Sequence, residues 1–194
     1  RIINIGARVC IHFIADGRDT PQKSAQQYID KIKTVLADAL NDGRAFFGTL
    51  SGRYYTMDRN HNMDRTRLAF DAIAKGKSQY HAKTIDDALS DAYARGESDE
   101  FIKPTIITPT VITPHDGFMF GNYRSDRARQ IVREMLKTKC HMLCFSQYGE
   151  GLDEFCPALL PDVPVVNTLG DVLVQNGKRQ LRISETEKYN HVTY

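Results

Sequence analysis

Arginine and aspartate side chains recur directly after apolar, strand-like segments of this sequence. Four apolar segments each lead into a charged turn, and these turns occupy residues 16–19, 51–59, 121–127 and 184–189. The turns carry six cationic side chains: Arg18, Arg53, Arg59, Arg124, Arg127 and Lys188. A planar guanidinium suits paired hydrogen bonds to carboxylate or phosphate oxygens. The pattern therefore predicts a site for a small ligand that carries more than one negative group.

Carboxylates in the same turns leave a second interpretation open for the arginines. Each arginine could instead be a solvated surface residue, or form a structural salt bridge to Asp16, Asp19, Asp58 or Asp126. The recurrence of the same chemistry at four strand ends favours a ligand site. Asp19 and Asp126 fit both interpretations, because they could orient neighbouring guanidiniums or accept hydrogen bonds from ligand hydroxyls.

The elements that position these turns alternate between strands and helices. Apolar runs predict strands at residues 9–14, 45–50, 117–120, 141–145 and 180–183. Helical periodicity lies between them, with N-caps predicted at Thr20, Thr84, Ser125 and Asn167. This order predicts a single α/β domain with one mainly parallel sheet flanked by helices. In such sheets ligands bind beyond the carboxyl ends of the strands, so the four turns should converge, with helix N-termini at Thr20 and Ser125 adding positive charge.

Composition excludes several function classes. The 194 residues are 41% hydrophobic and 26% charged, as in globular domains, and the net charge of +2 is too small for a dedicated nucleic-acid binder. No apolar run approaches the ~20 residues of a membrane-spanning helix. Cys10, Cys140, Cys144 and Cys156 match no zinc or redox spacing, which indicates a reducing, cytoplasmic compartment.

Five motifs in order identify a family resemblance. They are residues 16–21 (DGRDTP), 51–59 (SGRYYTMDR), 99–104 (DEFIKP), 123–128 (YRSDRA) and 185–193 (ETEKYNHVT). The chain resembles cofactor-independent phosphoglycerate mutase over essentially its whole length. The segment Ser146–Pro164 is unlike the family's usual sequence.

The resemblance implies an isomerase that interconverts 2- and 3-phosphoglycerate through a phosphoserine, in glycolysis and gluconeogenesis. Such enzymes carry two manganese ions in a domain related to alkaline phosphatase, into which a substrate-binding phosphotransferase domain is inserted. Residues 1–183 resemble that inserted domain, and residues 184–194 a return segment into a phosphatase domain absent from this chain. We therefore expect the nucleophile and the manganese ligands to lie outside the chain, and the chain alone to be inactive.

The resemblance also assigns roles to individual residues. It implies substrate contacts for Arg18, Asp19, Arg53, Arg59, Arg124, Ser125, Asp126, Arg127 and Lys188. Lys188 is further expected to be catalytic, by neutralising charge on the transferred phosphoryl group. The expected partners are phosphoglycerate and the missing phosphatase domain, without nucleic acid or membrane. The alternative is a stand-alone, non-catalytic binding module for small phosphorylated acids.

Overall fold

Strands and helices alternate in the computed structural model, which describes residues 2–160, 163, 165–185, 188 and 192. The strands are β1 (Val9–Ala15), β2 (Ala45–Gly52), β3 (Tyr80–His81), β4 (Thr105–Ile106), β5 (Gly117–Phe120), β6 (His141–Ser146) and β7 (Ala158–Leu160). The α-helices are α1 (Ala25–Val35), α2 (Ala37–Asn41), α3 (Arg53–Thr56), α4 (Met63–Lys75), α5 (Ile85–Ala94), α6 (Arg129–Leu136) and α7 (Leu169–Gln175). Short 3-10 turns cover Ile3–Ile5 and Asp99–Phe101. The predicted α/β class, with parallel strands flanked by helices, is confirmed.

The strands form two sheets where the sequence predicted one. The first has the order β1-β2-β4-β3, in which β1 and β2 run parallel and β4 runs antiparallel to β2. The second has the order β5-β6-β7 and is wholly parallel. A cleft of about 1240 Å³ lies between β1 and β5. These two strands are not paired by backbone hydrogen bonds, and side chains face each other across the cleft instead. The ring centroids of His12 and Phe118 are 6.5 Å apart.

Each sheet has its own apolar core. The first core joins β1, β2, α1 and α5 through Ala15, Ile29, Leu50 and Leu89. The second joins β5, β6, α4 and α6, and it buries the apolar stripe of Ala128, Ile131, Val132 and Met135. Burying one such aliphatic side chain stabilises the fold by about 1.5–3 kcal/mol. These cores fix the strand ends from which the charged turns project.

Helix α1 begins later than the sequence predicted, because Thr20 has another partner. The Thr20 hydroxyl accepts a hydrogen bond from the backbone N–H of Gly17 at 3.1 Å and so closes the turn after β1. The cap of α1 comes instead from Asp99, whose Oδ2 accepts the backbone N–H groups of Ser24 at 2.7 Å and Ala25 at 2.8 Å. A carboxylate thus already neutralises the helix end that was expected to attract an anion.

Three other local predictions were wrong. Ser125 does not cap α6: its carbonyl oxygen accepts hydrogen bonds from Ala128 and Arg129, one turn before the helix begins. Thr168, rather than Asn167, caps α7 in a capping box with Asp171. Residues 180–183 form no strand.

Among the described helices, none combines the length and apolar character that crossing a membrane requires.

Candidate functional site

Ion pairs join three of the four charged turns. Arg53, at the end of β2, donates from Nη1 to Asp16 Oδ1 at 2.5 Å and to Asp19 Oδ2 at 2.7 Å, both in the turn after β1. Arg59, farther along the β2 turn, donates to Asp126 Oδ2 at 2.9 Å in the turn after β5. The structure therefore brings together the charged turns of the two sheets.

Arg53 is the buried centre of the first contact. Its side chain is 5% exposed, and burial alone would lower its pKa. Hydrogen bonds to Asp19 and Asp16 outweigh burial and raise the pKa of Arg53. Burial likewise opposes ionisation of Asp16, yet the bond from Arg53 holds the pKa of Asp16 below its usual value. Both groups are charged at neutral pH.

Asp126 links two arginines in the second contact. Arg124 forms a fork on this carboxylate, from Nε to Oδ1 at 3.2 Å and from Nη2 to Oδ2 at 3.0 Å. Arg59 donates to the same Oδ2. Burial would raise the pKa of Asp126, but the hydrogen bonds from Arg124 and Arg59 lower it below the ordinary range. Asp126 therefore orients both guanidiniums.

The loop that carries Arg59 is anchored by its neighbour Asp58. The Asp58 carboxylate accepts hydrogen bonds from the backbone N–H groups of Asn60 at 3.0 Å and Asn62 at 2.9 Å, and from Gln130 Nε2 at 3.1 Å. Gln130, on α6, also donates to Thr66 of α4 at 2.5 Å. Sequence reasoning treated Asp58 only as a salt-bridge partner and missed Gln130, because no local pattern links residues 72 positions apart.

Arg127 is the least neutralised arginine of the group. Burial lowers the pKa of Arg127, and the nearby charges of Arg53, Arg59 and Arg124 lower it further. Its Nη1 donates to the carbonyl oxygen of Met57 at 3.2 Å, while its Nε is buried without a hydrogen-bond partner. Within the described part of the chain Arg127 forms no ion pair. Positive charge is thus concentrated at Arg127, whose Nε lacks a hydrogen-bond acceptor.

The remaining predicted residues lie around this cluster or apart from it. Arg18 is exposed and pairs with Glu100 at 3.5 Å. Asp19 is 65% exposed on its side chain, and Ser125 is partly buried. Lys188 pairs with the equally exposed Glu185 at 3.4 Å. Residues 186, 187 and 189 of the same turn lie outside the described residues, and the expected closeness of Lys188 to the arginines stays a prediction.

Of the clustered arginines, Arg53 and Arg124 line the cleft between the sheets. The cleft is lined by Asp16, Asp19, Arg53 and Arg124 together with apolar residues of β1 and β5. An apolar wall lowers the local dielectric constant and strengthens charge-assisted hydrogen bonds. The arrangement can hold a small polyanion.

A metal ion has no evident place at this site. Over residues 2–160 and the later described positions, no three His, Cys, Asp or Glu side chains are grouped to ligate a metal. The carboxylates nearest the arginines are already engaged by guanidiniums. The described residues therefore do not fit the manganese implied by the resemblance.

Comparison with known proteins gives several matches. The family described as "BPG-independent PGAM N-terminus" matches residues 3–155. The chain is 42% identical over 204 residues to 2,3-bisphosphoglycerate-independent phosphoglycerate mutase 1 of Methanosarcina acetivorans, covering 96% of this chain and 39% of that protein. It is 38% identical to the corresponding enzyme of Ruegeria sp. (strain TM1040), covering all of this chain and 40% of that protein.

A solved structure shares the fold. The phosphoglycerate mutase of Leishmania mexicana, crystallised at low cobalt concentration, matches with a TM-score of 0.81 at 24% identity, over 99% of this chain and 39% of that one. The chain thus spans about two fifths of the length of the relatives it matches. With most of its length matched by the family and the five motifs in order, the chain belongs to the 2,3-bisphosphoglycerate-independent phosphoglycerate mutase family.

Proposed function

We propose that this chain is the phosphoglycerate-binding part of an isomerase that interconverts 2- and 3-phosphoglycerate. The observation that carries the proposal is Arg127, a half-buried guanidinium beside three other arginines and without an ion pair among the described residues. A phosphate or carboxylate group would supply the acceptor that its Nε lacks. Each desolvated arginine contact contributes about 1.5–3 kcal/mol.

The arginines form two groups, which suit the two anionic groups of phosphoglycerate. Arg53 lies with Asp16 and Asp19, whereas Arg59 and Arg124 lie with Asp126. We propose that the arginines bind phosphate and carboxylate oxygens. Asp19, Ser125 and Asp126 would bind the glycerate hydroxyl or orient the guanidiniums, and Arg18 would close the exposed side of the site.

The chemical step would need groups beyond this cluster. We propose that a serine elsewhere in the protein takes the phosphoryl group, in a domain related to alkaline phosphatase. Two manganese ions bound there would stabilise negative charge. Lys188 would neutralise charge on the transferred group from the segment 184–194, while residues 1–183 hold the glycerate. A glycolytic role in the cytoplasm is part of this proposal, and the four free cysteines support a reducing compartment.

Titration of the purified chain with 3-phosphoglycerate tests the binding role. We expect a dissociation constant in the millimolar range, equivalent to about −4 kcal/mol, because no partner domain closes over the ligand. Added salt should weaken binding, since an open cationic cleft is screened. Arg127→Met should weaken it at least tenfold, whereas Arg67→Met, on the exposed face of α4, should not. No binding by the wild-type chain would refute the proposal.

Turnover distinguishes the enzyme from the alternative binding module. The chain, freed of host mutase, should not convert 3- to 2-phosphoglycerate with or without manganese. The complete protein of the same reading frame should do so with manganese. Binding without turnover by the complete protein would favour the non-catalytic module, and turnover by the chain alone would contradict the proposed division of labour.

A further inference from the structure

We infer that Ser146 and Tyr148 are positioning residues of the anion site, because their hydroxyls hold the backbone of the turn that presents Arg124. This inference rests on the proposed function, since it names what orients the arginines of that same site. It also gives a role to the segment after β6, whose sequence is unlike the family's usual one.

The turn between β5 and α6 depends on side chains for its shape. Residues 121–124 belong to neither element. Ser146, the last residue of β6, donates from Oγ to the carbonyl oxygen of Tyr123 at 2.7 Å. Tyr148 donates from its hydroxyl to the carbonyl oxygen of Asn122 at 2.5 Å. Two consecutive peptide groups directly before Arg124 are therefore held from the end of β6.

A third hydrogen bond carries this constraint to the arginine. Asn122 Nδ2 donates to the carbonyl oxygen of Arg124 at 2.7 Å. Arg124 then forms its fork on Asp126, which also receives Arg59. Displacement of the Asn122 peptide would therefore shift the guanidiniums that share Asp126.

Tyr148 is itself fixed by contacts on several sides. It is 1% exposed, and its ring packs edge-on against Phe120 with centroids 6.3 Å apart. Its backbone N–H donates to Asp153 Oδ1 at 2.9 Å, and its carbonyl oxygen accepts from Arg129 Nε at 2.6 Å. Arg129 lies in the first turn of α6. The hydroxyl is thus held rigidly between the end of β5 and the start of α6.

The ring and the hydroxyl of Tyr148 have separable tasks. The ring fills the core of the second sheet, which a phenylalanine would fill equally. The hydroxyl is buried, and burial raises the pKa of Tyr148, so the group stays protonated and remains a donor. Tyr148→Phe therefore removes the contact to Asn122 with little change in packing.

Binding by the purified chain gives the first test. Tyr148→Phe should raise the dissociation constant for 3-phosphoglycerate about fivefold, the loss expected for one hydrogen bond of ordinary strength. Ser146→Ala should act in the same direction. The matched control is Tyr80→Phe. The hydroxyl of Tyr80, on the first sheet, accepts a hydrogen bond from Lys103 Nζ at 3.2 Å. The Tyr80→Phe variant should bind 3-phosphoglycerate with the affinity of the wild type.

A double-mutant cycle shows whether Tyr148 acts through Arg124. In an Arg124→Met background Tyr148→Phe should have less than a twofold effect, because the arginine it positions is gone. In an Arg18→Met background the fivefold effect should persist. An equal loss in both backgrounds would overturn the inference, since a general structural defect is indifferent to which arginine remains.

Amide hydrogen exchange provides a readout that needs no ligand. Tyr148→Phe should accelerate exchange at residues 122–126 severalfold more than in the α5 helix, and Tyr80→Phe should leave these amides unchanged. Unaltered exchange at 122–126 would refute the inference even if phosphoglycerate binds. Accelerated exchange in a chain that binds no phosphoglycerate would support the contact while refuting the proposed function.

Discussion

Gly52 and Glu100 approach each other so closely that no side chain fits between them. A Cβ atom on Gly52 would lie 2.2 Å from the carbonyl oxygen of Glu100 and 2.5 Å from its carbonyl carbon. Gly52 ends β2 directly before Arg53, and its N–H donates to the carbonyl oxygen of Ile102 at 2.8 Å. The 3-10 turn of residues 99–101 is therefore packed against the backbone that presents Arg53.

Gly52→Ala should lower the free energy of unfolding by about 3 kcal/mol, because the added methyl group meets backbone atoms that cannot rotate away. Chemical denaturation measures this loss. Gly117→Ala is the matched control, since a Cβ there has no atom within 4 Å, and its stability should stay within about 0.5 kcal/mol of the wild type. Equal effects of the two substitutions would contradict the close approach.

Arg127→Met should stabilise the ligand-free chain by about 1 kcal/mol, because it removes a partly buried charge from the neighbourhood of three like charges. The same substitution should weaken binding of 3-phosphoglycerate at least tenfold. Urea denaturation at low salt and a parallel titration measure the two effects. Lower stability of the variant would show that Arg127 is already neutralised in the folded chain.

Arg53→Met is the informative comparison, since it should have the opposite effect on stability. Its removal leaves Asp16 and Asp19 without the guanidinium they share, so a loss of about 2 kcal/mol is expected.

Asp58→Asn should cost about 2 kcal/mol at pH 7, because the carboxylate accepts several hydrogen bonds and its side chain is only 4% exposed. Burial would raise the pKa of Asp58, but the bonds from Asn62 and Gln130 hold it below the usual value. The folded chain thus binds fewer protons here than the unfolded chain, whose pKa is about 3.9. Its contribution is complete above that pH and is lost as pH falls through the folded pKa.

The difference between Asp58→Asn and the wild type should accordingly shrink as pH is lowered from about 4 towards 2. Denaturation curves over this range measure it. Asp64→Asn, on a fully exposed side chain of α4, is the matched control, and its stability at pH 7 should stay within about 0.5 kcal/mol of the wild type. A difference independent of pH would mean that Asp58 is not ionised in the fold.

Arg124→Lys should weaken phosphoglycerate binding almost as much as Arg124→Ala. A lysine has a single ammonium group and cannot reproduce the two-point contact with Asp126 that orients Arg124. In the complete protein the loss should appear mainly in kcat/KM. Near-normal values for the lysine variant would show that charge alone suffices at this position.

Sequence reasoning identified what periodicity and residue type encode locally. β2 is buried over nearly its whole length, β6 alternates between buried and less buried positions, and α6 buries its apolar stripe as the spacing required. β1 is mostly half-buried, and β5 buries only Phe120. The Thr84 cap of α5 is also present, with Oγ1 accepting from the N–H of Asp87 at 3.0 Å. In each case neighbouring residues determine the outcome.

Predictions were wrong where a distant residue determines the structure. The apolar spacing of α1 predicts that Tyr28, Ile32 and Val35 share a buried face. Tyr28 and Val35 are instead exposed, because the helix packs on the sheet along the line of Ala25, Ile29 and Ile32. The gap between the two sheets depends on how β5 lies relative to β1, which no local pattern specifies. In the site, the arginines could be named from the strand ends, but Gln130 and Tyr148 act on residues that only the fold brings near.

The contact between Asp99 and α1 has a consequence for how the chain is made. The ribosome completes the first turn of α1 before it adds Asp99, 74 residues after Ala25. Until then the opening amides of α1 have only water as acceptor, and the backbone that packs on Gly52 has not yet been synthesised. The first sheet therefore cannot reach its final form strand by strand in the order of synthesis, and its consolidation must wait until the segment from Asp99 to β4 has been made. A stalled nascent chain ending before Asp99 should be far more sensitive to protease at α1 than one ending beyond β4.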